Sequence, residues 1–160
     1  MKREGILILF VLFAALLRVI PHPPNFAPVT ALALFSGVYF SNRFLGILIP
    51  ILAMMLSDIV LGFYTISYWV YFSFILVSVF GILYSRINFK SIFTSSLIFF
   101  FFSNLGVWVI GYPKTIEGFI MCYTLAIPFL GYSVLGDLFF SLVLKNSFKY
   151  AERKWLTTIY

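Results

Sequence analysis

Charge is what this sequence has least of. Its five acids and eleven bases make up 10% of 160 residues, against about 25% in an ordinary soluble domain. Such a chain cannot cover a compact water-soluble body with polar side chains, so the composition indicates an integral membrane protein. Cys122 is the sole cysteine, which excludes an internal disulfide and a thiolate metal cluster. His22 is the sole histidine, and alone it supports neither a zinc site nor a Ser-His-Asp arrangement. The sequence lacks the Gly-x-x-x-x-Gly-Lys-Ser/Thr loop of ATPases, so ATP hydrolysis, if it drives this protein, belongs to a partner. It also lacks a His-Glu-x-x-His pattern and a nucleophile elbow; neither enzyme activity nor a cofactor is expected.

Apolar residues fill the space that charge leaves. They make up 62% of the chain, with phenylalanine at 21 positions. Six apolar segments can be drawn, at Gly5–Ile20, Pro28–Phe40, Phe44–Leu61, Ser67–Ser85, Ser91–Ile110 and Gly118–Leu144. The basic start before the first segment resembles a signal peptide, but no small-residue cleavage site follows Ala15, and a retained first helix is expected. A full crossing takes about 20 residues, so the short second segment is expected to begin inside the membrane. Pro128 is expected to bend the long sixth one.

The connections Ser41–Arg43, Gly62–Ile66, Arg86–Lys90 and Gly111–Glu117 are too short to span more than one helix diameter, which makes successive helices antiparallel neighbours. With no internal repeat or linker, residues 1–160 read as one transmembrane domain. Six crossings with a cytoplasmic N-terminus place nine of the eleven bases inside, leaving Arg18 and Lys114 outside. That asymmetry follows the positive-inside rule. The expected fold is an all-α membrane protein, a compact six-transmembrane-helix bundle with both termini cytoplasmic. Its bases sit in short clusters rather than a stripe, so anionic lipid headgroups, and not nucleic acid, are the expected charged partner.

Against this background a few polar residues stand out. Asp58 falls inside the third segment, where an ionised carboxylate facing lipid costs at least about 2.5 kcal/mol, so it must face protein or water. It lies about one turn from the outer end of its helix, and Asn104 roughly two turns below the outer end of the fifth. Trp108 and Tyr112 follow Asn104 at four-residue intervals and share its face. His22 and Asn25 belong to the proline-rich stretch Pro21–Pro28, which cannot be regular helix. Glu117 and Tyr123 stand at the outer start of the sixth helix. These groups gather in the outer half, where they could line a pocket.

Alternatives remain open for each. The proline stretch is one wall of a ligand site or a stiff external connector whose Asn25 caps the second helix. Asp58 binds a ligand or bonds a neighbouring helix through Asn25, Ser57 or a backbone amide. Asn104 serves a ligand or joins helices, and Trp108 and Tyr112 form a stacking wall or an interfacial belt. Asp137 is expected near the cytoplasmic end of the sixth helix, paired with Arg86 or Lys145 or in contact with a cytoplasmic-side partner, and too far away to share the outer pocket. Ala27, Ala31, Ala33 and Gly37 permit close helix approach.

The same residues carry a resemblance. Arg18-Val-Ile-Pro-His22-Pro-Pro-Asn25-Phe-Ala-Pro28-Val-Thr-Ala-Leu-Ala-Leu-Phe-Ser-Gly37, then Pro50 and Ser57-Asp58-Ile-Val-Leu-Gly62, then Phe102-Ser-Asn104-Leu-Gly-Val-Trp108, and finally Cys122-Tyr123 with Ala126-Ile127-Pro128-Phe129, resemble a family of small bacterial membrane proteins of unknown function. That family is similar to the substrate-binding S components of energy-coupling factor (ECF) transporters, and the likeness spans essentially the whole chain. It implies a six-helix subunit of the bacterial cytoplasmic membrane that binds a vitamin or related micronutrient near the outer face. It further implies a transmembrane coupling protein and two ATPase subunits as partners. Asn25, Asp58, Asn104 and Trp108 are the implied pocket residues, with the His22 region as lid. The Ala-x-x-x-Ala surface common on the first helix of S components is absent, since Ala14 and Ala15 are adjacent. A standalone secondary carrier or channel, or a structural membrane subunit, is the alternative function.

Overall fold

The computed structural model describes residues 3–21 and 25–155. They form six helices: α1 Arg3–Leu17, α2 Val29–Tyr39, α3 Arg43–Leu61, α4 Ser67–Tyr84, α5 Phe89–Gly111 and α6 Ile116–Trp155. Four of them, α3 to α6, are long and apolar enough to cross a membrane, and the chain is a multi-pass membrane protein. Leu56, Ile59, Val60, Ile120, Leu135 and many other large apolar side chains stay exposed on the outside of the bundle, as lipid contact requires.

Local chemistry sets several helix ends. The Asn42 side chain accepts hydrogen bonds from the Phe44 and Leu45 amides at the start of α3. At the start of α5, Asn88 and Ser91 exchange bonds in a capping box, which starts the helix two residues before the apolar run beginning at Ser91.

α6 departs most from expectation. It was expected to end near Leu144, yet it continues through the basic stretch to Trp155, 40 residues in all and roughly 60 Å. Packing accounts for the extension. Phe148 and Ala151 are buried, and Phe148 meets the rings of Phe10, Phe35 and Tyr39 edge-on at 5.1–5.9 Å. Beside them, Arg3 donates to Glu152 at 2.8 Å and to the Tyr39 carbonyl at 2.7 Å, joining the start of α1 to the ends of α2 and α6.

α2 is the centre of the bundle and contacts all five other helices. It has 11 residues, and Thr30 to Gly37 are buried without a break. A helix apolar on every side belongs in a core. The closest approach is to α4: a Cβ on Gly37 would stand 2.2 Å from the Ser78 carbonyl oxygen, and one on Gly81 2.9 Å from that of Leu34. Glycine at both positions lets the two backbones touch. With 11 residues, roughly 16 Å, α2 is about half a membrane crossing.

Candidate functional site

The half-length of α2 creates the site. The chain leaves α1 at Leu17 and returns as non-helical backbone through Asn25 to Pro28 before α2 begins. Asn25 adopts φ 60°, a left-handed conformation that asparagine tolerates better than most residues. Phe26 then packs against Phe139 and Phe140 of α6, which holds the irregular segment against that helix up to the buried Pro28. Pro28 supplies no side-chain cap to α2.

A helix start buried in this way leaves amides without partners. Asp137 of α6 lies there: it is 2% exposed, and the Thr30 side chain and Ala31 backbone are within hydrogen-bonding reach of it. Ser96 of α5 donates to its Oδ2 at 2.6 Å. Carboxylate oxygens and the positive end of a helix dipole suit each other. Ser96 is seven residues into α5, so this junction sits roughly 10 Å from the Phe89 end and 22 Å from the Gly111 end.

Above the junction lies a cavity of about 350 Å³. Its floor includes Thr30 and Asp137; Phe99, Phe100 and Phe129 give it aromatic walls; Ser103, Asn104 and Ser133 add polar groups, and Arg18 and Asn25 also border it. Its volume falls within the range of small-molecule pockets, and its lining combines apolar walls with a few polar groups. A second hollow, about 290 Å³ between α1 and α3, is apolar apart from Ser57.

Asp58 stands beside the cavity and does not line it. Arg18, just past the end of α1, donates to Asp58 Oδ1 and, at 2.7 Å, to Ser57 Oγ, while the Tyr71 hydroxyl donates to Asp58 Oδ2. The carboxylate is thus paired on both oxygens, and the Arg18 charge at the cavity wall is offset. No cationic side chain pairs with Asp137 among the described residues. Among the described cavity groups, Asp137 is therefore the one ionisable side chain without an ionic partner.

The other singled-out residues divide between cavity and periphery. Asn25 and Asn104 line the cavity together, and Asn104 Nδ2 donates to the Phe100 carbonyl at 2.7 Å. Trp108 and Tyr123 belong to an α5–α6 contact: Trp108 Nε1 donates to the Pro113 carbonyl, and the Tyr123 hydroxyl to the Phe101 carbonyl at 2.7 Å. Phe119 lies between them, 5.5 Å from the Trp108 ring and 4.4 Å from that of Tyr123. Tyr112 closes α5, and its carbonyl accepts from Lys114. His22 lies outside the described residues.

Asp137 requires a correction. It pairs with neither Arg86 nor Lys145; Lys145 donates instead to the Ile87 carbonyl, and Arg86 is exposed. Nor does Asp137 stand near the end of its helix: α6 continues to Trp155, and Asp137 shares one cavity with Asn25 and Asn104, because α2 begins beside it rather than above it. Sequence reasoning also passed over Arg18, Thr30, Ser96 and Tyr71 as site residues. The one available signal was Ser133 four residues before Asp137, which puts two polar groups on one face of α6.

The model of a family of unknown function, DUF6580, matches residues 1–158, and the chain belongs to that family. No curated protein and no solved structure matches the chain.

Proposed function

We propose that this DUF6580 member is a substrate-binding membrane subunit that takes up a vitamin or related micronutrient, powered by partner ATPases through a transmembrane coupling protein. The observation that carries the reading is the cavity of about 350 Å³ inside the helix bundle, bordered by Arg18, Asn25, Asn104 and Asp137. Polar groups held beside an open volume in hydrocarbon need a ligand or water to justify their desolvation. In this reading α1 and α2 complete a six-segment bundle in the bacterial cytoplasmic membrane, both termini cytoplasmic, with the cavity opening outward. The chain captures the solute and performs no chemistry on it; the partners' work changes its affinity between outward and inward states.

The test is purification of the full chain under mild extraction, followed by mass spectrometry of whatever it releases on denaturation. A retained small organic molecule, together with copurifying ATPases and a coupling protein, is the expected result. Absence of both overturns the proposal. A standalone carrier is the second reading, favoured by Asp137, a buried acid without a cationic partner among the described residues, which could couple to a proton or cation. Uptake by the chain alone in proteoliposomes, driven by an ion gradient, would select it.

A further inference from the structure

Resting on the reading of the cavity as a solute site, we infer that its ligand carries a single positive charge, an organic ammonium or comparable cationic nitrogen, with Asp137 as its counter-charge. The inference starts from charge balance. Among the described residues, two charged side chains border the cavity, Arg18 and Asp137. Arg18 is already bound to Asp58, whose other oxygen is held by Tyr71. A neutral pair of this kind offers an anionic ligand little net charge.

Asp137 differs because its partners are neutral dipoles. The Ser96 hydroxyl donates to it, the start of α2 lies beside it, and both offset part of its charge. They supply no counter-charge; a monocation in the cavity does, and it holds Asp137 ionised against the cost of its burial. The walls suit such a ligand. Phe99, Phe100 and Phe129 border the same space, and aromatic faces attract cations most strongly where water is excluded. Ser133, one turn before Asp137 on α6, and Ser103 on α5 add oxygen acceptors for N–H groups. An acid and aromatic rings around one cavity are the chemistry of ammonium recognition.

The test uses the full chain in nanodiscs and three cationic probes, one quaternary and two with N–H donors: choline, ethanolammonium and benzylammonium. The neutral partner is 3,3-dimethylbutan-1-ol, which matches choline in shape with carbon in place of nitrogen. The expected result is saturable binding of at least one cation, with choline preferred over its carbon isostere by on the order of 30-fold or more. Asp137→Asn keeps an oxygen able to cap α2 and is expected to remove that preference. Failure of all three cations to bind, equal binding of choline and its isostere, or an unchanged preference in Asp137→Asn overturns the inference. The first two comparisons need only the unaltered protein, so they decide even if the variant does not fold. The two proposals fail separately: an uncharged micronutrient retained on purification refutes the cationic class and leaves micronutrient uptake standing.

Discussion

Arg18 and Asp58, 40 residues apart in sequence, form an ion pair that joins the end of α1 to α3, with the carboxylate side chain 3% exposed and the guanidinium side chain 22%. Ser57 and Tyr71 complete the set, so that α1, α3 and α4 meet at one buried charge pair. This pair fixes one wall of the cavity, and its removal is the most direct probe of the frame around it.

Arg18→Met leaves a buried carboxylate with one remaining side-chain donor. We expect a loss of about 3–5 kcal/mol in stability, read as a lower thermal midpoint in detergent. The double substitution Arg18→Met with Asp58→Leu should recover most of that loss, because a packed apolar pair avoids the desolvation cost. A double-mutant cycle gives the coupling, and additive losses would show that the two residues act independently.

Gly37→Ala brings a methyl group to 2.2 Å from the Ser78 carbonyl oxygen, and neither backbone can yield without separating α2 from α4. The expected outcome is loss of folded protein on size-exclusion chromatography. Gly131→Ala, with nothing within 4 Å of the new atom, should instead be neutral or stabilising by up to about 1 kcal/mol, as expected for alanine in a helix.

Phe148→Ala empties a ring site that is fully buried among Phe10, Phe35 and Tyr39. A cost of about 3–5 kcal/mol is expected. Protease should then cut the end of α6 while the rest of the bundle stays resistant, which limited proteolysis with mass mapping will read.

Within the site, Asn104→Ala and Trp108→Phe should separate. Asn104 lines the cavity, and its truncation is expected to weaken retention of the copurifying solute by about tenfold, equivalent to one lost hydrogen bond of about 1–1.5 kcal/mol. Trp108 bonds to the Pro113 carbonyl away from the cavity, so its replacement should leave retention unchanged. Quantitative mass spectrometry of the released solute distinguishes the two.

The helices themselves were legible in the sequence. Long apolar runs separated by short polar connections dictate helices, because backbone groups in hydrocarbon must bond within their own segment. The proline stretch and the shortness of the second run also indicated a broken entry into α2, since prolines cannot supply the amides a helix needs. Asn25 and Asn104 could be named as polar residues in an apolar chain, and the structure brings both to one cavity.

Only tertiary structure decided how the charges pair. Which base meets Asp58 depends on the three-dimensional meeting of α1 and α3, and no local spacing links residues 40 positions apart. The same holds for Asp137, read from the sequence as an acid awaiting a nearby base on the cytoplasmic side. Its partners are Ser96 on another helix and the buried start of α2, and a short central helix leaves open space above it. Hydropathy determines that a segment is helical; the depth at which α2 starts, and hence the cavity and the residue at its floor, is set by the packing of five helices around it.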